Sequence, residues 1–279
     1  MDQIPRIMRF QKANQSPKTT DLAALPRLSR RARAELRQAG IVTMEQFAAL
    51  SIAELQQIKG IKTTAAALKA NAQAFVDNRP VWLATLSETR CAGGWTLDLE
   101  TASLPGGDGS LWCIGWSVGQ GNTQIALLAP EKDGQTLELP DGQKVICVDR
   151  PAALWEPVYA SAVADDKPIY HWTGFDRHIL RASAPDPIRA ALDSRMTDLH
   201  HLFTHAVRLP VRSYSIKVVA AHFGFAWSGY QEWWRAETDY RRWLITGDIR
   251  LLAQACAYQR DDVLALQVVW DWLLANQPL

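Results

Sequence analysis

Three short stretches of this chain place acids at spacings that can do chemistry. In Trp95-Thr96-Leu97-Asp98-Leu99-Glu100, an apolar and β-prone run, a period of two puts Thr96, Asp98 and Glu100 on one face and Leu97 and Leu99 on the other. Two carboxylates side by side on a half-buried surface repel each other. Either one pKa rises or a cation shares them. A strand end whose acids merely face water is the plain alternative. The second stretch, Tyr170-His171-Trp172-Thr173-Gly174-Phe175-Asp176, reads as a strand running into a helix, with an acid just past the glycine. Taken alone, Asp176 is a first-turn carboxylate favoured by the helix dipole. The third is Tyr258-Gln259-Arg260-Asp261-Asp262. Tyr258 and Asp262 are four residues apart on one helix face, so a phenol can lie beside a carboxylate. Asp261 is turned about 100° away and is the decoy.

These groups need elements to hold them. Past Pro80 the pattern gives strands at Trp95 to Glu100, Leu111 to Val118 and Thr123 to Leu128. A helix from Ala152 to Ala164, a strand from Ile169 to Trp172, a helix from Phe175 to Ala182, a strand at Arg195 to Asp198 and further helices follow. A meander followed by βα units predicts an α/β fold, a mixed sheet with helices on its faces. In the last helix, Leu251, Leu252, Ala255, Leu266, Val269 and Leu273 recur at helical spacing. Asp198, just before an apolar stretch, reads as a helix cap, with an acid standing behind a cation's ligands as the alternative.

In this order the three stretches resemble the DEDD nucleases of the RNase H-like superfamily, the DnaQ-like 3′–5′ exonucleases, in their tyrosine-bearing (DEDDy) branch. That pattern is D-x-E on the first strand, an acid after a strand-to-helix turn, and Y-x-x-x-D on a late helix. Here it falls on Asp98 and Glu100, Asp176, and Tyr258 with Asp262. The likeness covers most of residues 92–275. It extends to YprB-like RNase H-like domains through Thr197-Asp198-Leu199 and Arg212-Ser213-Tyr214-Ser215-Ile216-Lys217, ahead of a helix ending at Phe223-Gly224-Phe225. The resemblance implies an RNase H-like sheet, a three-strand antiparallel meander plus parallel strands, and hydrolysis of phosphodiester bonds by two divalent ions, Mg2+ or Mn2+. Two metals about 4 Å apart stabilise both the attacking and the leaving oxygen, and hard cations prefer oxygen ligands. By the same resemblance Asp98 bridges both ions, Glu100 and Asp262 hold one, Asp176 holds the other, and Tyr258 orients the attacking water. Lys217 is placed to meet a substrate phosphate, with a solvated lysine as the alternative.

The charge is divided unevenly. Residues 1–80 carry 13 Lys/Arg against 6 Asp/Glu, a net +7, and the remainder carries 17 against 23, a net −6. A basic module suits a polyanion, whereas an acidic one avoids it unless cations neutralise its carboxylates. Residues 1–20 lack periodicity and read as a flexible arm. Residues 21–80 read as a small all-α domain with helices at Leu22 to Gly40, Met44 to Leu50, Ile52 to Ile58 and Thr63 to Asp77. The run Leu55 to Ile61, with Gly60 at its turn and an alanine-rich helix behind it, resembles a helix-hairpin-helix element. That resemblance implies a glycine turn and free helical N–H groups holding a nucleic-acid phosphate, here flanked by Lys59 and Lys62. Lys62 stands where the family usually has a second glycine. A more degenerate unit precedes it, with Gly40-Ile41 at its turn and Arg27, Arg30, Arg31, Arg33 and Arg37 as a phosphate track. A helical bundle with a merely solvated charged face is the alternative.

Other chemistries are excluded or weak. Four cysteines, Cys91, Cys113, Cys147 and Cys256, form no CxxC pair, so neither a zinc ribbon nor a disulfide framework is expected. His200, His201 and His205 lack an HExxH context for zinc. P-loop, GxGxxG and GxSxG signatures are absent. With 48% hydrophobic residues but no apolar run of about 18, the chain reads as soluble and cytoplasmic, with residues 81–279 forming the nuclease domain. Twelve tryptophans are many, and Trp227, Trp233, Trp234 and Trp243 gather beside Tyr230 and Tyr240. They read as core rings or as a stacking surface for unpaired bases. The expected function is a metal-dependent 3′–5′ exonuclease on single-stranded or frayed DNA. The rivals are an inactive RNase H-like nucleic-acid-binding factor and a nuclease acting on RNA or an RNA–DNA hybrid.

Overall fold

Short polar caps shape the N-terminal helices in the computed structural model, which describes residues 20–86, 93–119, 122–164 and 166–278. The arm expected over residues 1–20 and Cys91 fall almost wholly outside the described residues. Four α-helices follow: α1 (Arg30–Gln38), α2 (Met44–Ala49), α3 (Ile52–Gln57) and α4 (Ala65–Asp77). Thr43 with Gln46 and Ser51 with Glu54 form capping boxes that start α2 and α3. The helix expected from Leu22 to Gly40 is broken in two: a 3-10 turn spans Leu22–Ala24, and α1 starts only after the Ser29 cap. Pro26 is the cause, because the residue before a proline is driven out of helical geometry, and Leu25 is extended with ψ 118°. Arg27 then turns the chain with φ +64°. It therefore leaves the proposed arginine helix. Gly40 and Gly60 lie in the helix-to-helix turns with φ +77° and +90°, a region that glycine enters without penalty.

The chain divides into two compact units. One takes in the described parts of residues 1–86, 203–225 and 276–279, and the other those of 87–202 and 226–275. In the first, β1 (Val81–Trp82) pairs antiparallel with β9 (Val207–Arg208), and α9 (Ile216–His222) follows. Tyr214 ties the returning segment to α4: its hydroxyl donates to Asn71 Oδ1 at 2.7 Å and accepts from the Leu209 N–H at 2.9 Å.

The second unit is built on a seven-stranded sheet: β2 (Trp95–Thr101), β3 (Leu111–Ser117), β4 (Thr123–Leu128), β5 (Thr136–Glu138), β6 (Lys144–Val148), β7 (Ile169–His171) and β8 (Met196–Asp198). Their spatial order is β5-β6-β4-β3-β2-β7-β8. β2, β3 and β4 form the expected antiparallel meander, and β7 and β8 add parallel to β2. The sheet is thus mixed and the fold α/β. Two strands go beyond the expectation: β6 joins β4 in parallel and β5 closes the edge antiparallel. Each is too short for its periodicity to stand out between turn residues.

Helices cover both faces. Leu97, Leu99, Ile114 and Trp116 pack into a core with residues of α5 (Trp155–Ala162), α6 (Phe175–Ser183) and α7 (Asp186–Asp193). On the opposite face Cys113, Ile125 and Leu127 share a core with α10 (Trp233–Thr246) and α11 (Ile249–Asn276). Because Leu97 and Leu99 take the first face, Asp98 and Glu100 are turned to the α11 side.

Gly115 sets how closely α11 can lie. It pairs with Asp98 across the β2–β3 ladder, and a Cβ there would meet Gln259 Cγ and Val263 Cγ2, each at 2.9 Å. Gly115→Ala is therefore expected to destabilise the protein by about 1–3 kcal/mol through overpacking, read as a lower urea midpoint. An unchanged midpoint would show that α11 is not seated on the strand in this way.

Candidate metal centre

Strand β2 supplies Asp98 and Glu100, α6 supplies Asp176, and α11 supplies Tyr258 and Asp262. Among the described residues, Asp98, Glu100 and Asp262 form a group in which one ligand oxygen from each lies within 4.8 Å of the others. Asp262 is buried, while Asp98 and Glu100 keep part of their surface. Gln259, one turn before Asp262, donates through Nε2 to the Asp98 carbonyl at 2.8 Å and to Asp98 Oδ2 at 3.0 Å. The helix is thereby locked to the strand at the acid itself.

This arrangement is electrostatically costly without a cation. Burial pushes the Asp98 carboxyl well above the usual carboxylate range, and Asp262, Asp176 and Glu100 raise it further by repulsion. Asp176, 3% exposed, is also raised by burial, partly offset by His171 and by the N–H groups of Asp176 itself and Leu99. His171 Nδ1 is 3.6 Å from Asp176 Oδ2, long for a hydrogen bond. Asp176 thus borders the trio, near enough to repel Asp98 and anchored to β2 through the Leu99 N–H. Crowded oxygen donors that repel one another are what a hard divalent cation would neutralise, so the donor set fits magnesium or manganese.

Tyr258 lies within the cluster's field. Burial raises its phenol far above its ordinary value, followed by the charges of Asp262, Glu100 and Asp98, and its side chain hydrogen-bonds Asp262. A second neutral donor reaches the same acid: Trp227 Nε1 donates to Asp262 Oδ1 at 2.6 Å. Asp261 stays outside the trio and instead accepts from the Ser228 N–H at 2.5 Å and hydroxyl at 2.7 Å. Sequence reasoning missed Gln259 and Trp227. Gln259 was within reach, because i and i+3 share a helix face with Asp262. Trp227 is 35 residues from its partner and gave no local signal.

The remaining candidates have definite places. Arg30, Arg31, Arg37, Lys59, Gly60 and Lys62 are exposed, and Lys217 is half-buried on α9, all within the first compact unit. Asp198 Oδ1 accepts from the His201 N–H at 2.8 Å, a cap for α8 (Leu199–Ala206). The tryptophan group splits. Trp243 and Trp227 are buried, and Tyr240 stacks on Trp112 at 4.3 Å, whereas Trp233 and Trp234 are 42% and 45% exposed. Cys113, Cys147 and Cys256 are buried free thiols.

A sheet of this order, with acids on the first meander strand and on the last helix, defines a class of nucleic-acid-processing folds. The RNase H superfamily family model matches residues 96–274, which include all five of these acidic and tyrosine positions, and the chain belongs to that superfamily. No curated protein matches the chain. Among the described residues, no helix is long and apolar enough to cross a membrane.

Proposed function

We propose that the protein is a metal-dependent 3′–5′ exonuclease of the DEDDy type, acting on single-stranded or frayed DNA. One observation carries this reading: Asp98, Glu100 and Asp262 offer oxygens within 4.8 Å of one another, with Tyr258 hydrogen-bonded at their edge. Asp98, Glu100 and Asp262, with Asp176 beside them, would hold two divalent cations. When bound, these supply charge stabilisation for the attacking and leaving oxygens and an activated water.

The chain's own groups have separable roles. Gln259 holds the Asp98 carboxylate, so that acid needs little reorganisation when substrate arrives. Burial and the surrounding acids raise the Tyr258 phenol far above its ordinary value. Beside Asp262, Tyr258 would orient water or substrate as a hydrogen-bonding group. In the basic N-terminal module, residues 21–80, the helix-hairpin-helix-like turns at Gly40 and Gly60 with Arg30, Arg31, Arg37, Lys59 and Lys62 would grip the phosphate backbone, and Lys217 would add a contact. The nuclease domain would be drawn from residues 81–279, of which 81–86, 203–225 and the last residues from 276 belong to the compact unit that holds α1 to α4.

The test uses strands labelled at either end, incubated with magnesium or manganese. The expected result is a ladder growing from the 3′ end of DNA. Strands bound with full affinity but left intact would overturn the reading in favour of a binding factor. Faster cleavage of RNA or a hybrid would move the substrate class. Reversing Arg30, Arg31, Lys59 and Lys62 to glutamate is expected to weaken binding and flatten its salt dependence.

A further inference from the structure

We infer that Trp227 and Asp261 are positioning residues for the proposed metal ligand Asp262. The inference rests on the metal-centre reading above and adds to it the device that aims one acid.

Two adjacent acids of α11 grip two adjacent residues of the segment before α10. Asp262 accepts from the indole N–H of Trp227 at 2.6 Å, and Asp261 accepts from both the N–H and the hydroxyl of Ser228 at 2.5 and 2.7 Å. Asp261, Asp262 and Trp227 are 5%, 5% and 8% exposed. A buried carboxylate is costly unless its oxygens are satisfied: both Ser228 donors bond Oδ2 of Asp261, and Oδ1 faces Arg260 Nε at 3.9 Å. With Ser228 fixed, its chain neighbour Trp227 has little freedom, and its indole is delivered to Asp262 at a set angle. The residue that the helix turns away from the metal side thus acts on that side through a loop.

The choice of donor matters chemically. An indole N–H is a donor only and carries no charge. It restrains the rotation of Asp262 without placing a positive charge beside Asp98 and Glu100. A lysine or arginine there would compete with the divalent cation for the same oxygens. Groups that orient ligands from behind typically change metal affinity or activity by about 10- to 100-fold when removed.

The experiment measures Mn2+ binding to the full chain without nucleic acid, by titration with detection of free Mn2+ by electron paramagnetic resonance. Trp227→Phe keeps a ring but removes the donor, and its Mn2+ dissociation constant is expected to rise roughly tenfold or more. Asp261→Ala leaves both Trp227 and Asp262 in place and is expected to raise it severalfold. Trp243→Phe, an equally buried ring trimmed elsewhere, should leave it within twofold of the unaltered chain. Should Trp227→Phe not fold, Asp261→Ala carries the test. A dissociation constant unchanged in the folded variants overturns the inference while leaving the metal centre intact. Failure of the unaltered protein to bind Mn2+ overturns the metal reading, and this inference with it.

Discussion

Asp98→Asn is expected to lower kcat/KM by at least about 10³-fold, about 4 kcal/mol of transition-state stabilisation, the scale that metal ions supply in such sites. The same substitution is expected to raise the melting temperature of the metal-free protein. Asp98 sits under burial and under the repulsion of Asp262, Asp176 and Glu100, and an amide of the same shape removes its share of that repulsion. The side-chain oxygen of asparagine can still accept from Gln259, so the strand-to-helix lock survives. Each kcal/mol relieved raises the midpoint by about 2–4 °C in a domain of roughly 150–250 residues. Opposite changes in activity and stability are the signature of a site whose acids are held together for a ligand. Loss of both together, measured by calorimetry beside the nuclease assay, would identify Asp98 as a structural residue.

The second large effect is a coupling between pH, divalent metal and stability. Asp98 and Asp176 have folded-state pKa values raised above those of the unfolded chain. Their favourable contribution is complete below about pH 4 and is lost as pH rises through the raised values. Asp193 works the other way. Arg181 and Arg177 hold its carboxyl down to about 2, so its contribution is present above the unfolded value and lost as pH falls towards 2. For the acid cluster, metal-free protein is therefore less stable at pH 7.5 than at pH 5. Magnesium or manganese at 100 times its dissociation constant adds about 2.7 kcal/mol, or about 5–10 °C in the midpoint, at the higher pH. At pH 5 protons compete for the same oxygens and the gain shrinks. Thermal scans at both pH values, with and without metal, check this. A metal-induced shift that does not depend on pH would place binding away from Asp98 and Asp176.

Much of the site was legible in the chain because its parts are local. The alternation in β2 already puts Asp98 and Glu100 on one face, and the i,i+4 spacing in α11 already sets Tyr258 beside Asp262. Asp261 could be set aside by helix geometry alone, and it does lie outside the trio. Errors arose where local signals conflict or are too short. The helix predicted through Pro26 broke there, and β5 and β6, of 3 and 5 residues, passed as loop. Of the tryptophans, Trp233 and Trp234 are partly exposed and Trp227 and Trp243 buried, a division that their composition could not decide.

Residue order and backbone period thus specified which acids share a face and which segments become strands or helices, since a period of 2.0 or 3.6 is a property of each segment alone. Convergence of the segments came only with packing. Gly115 leaves room for α11 to descend onto β3, Gln259 then meets Asp98, and Asp262 meets both Glu100 and the indole of Trp227. Each of these contacts joins positions tens to more than a hundred residues apart. Side-chain volume and the crossing of a helix over a sheet decide them, and neither is written in any one stretch of the chain.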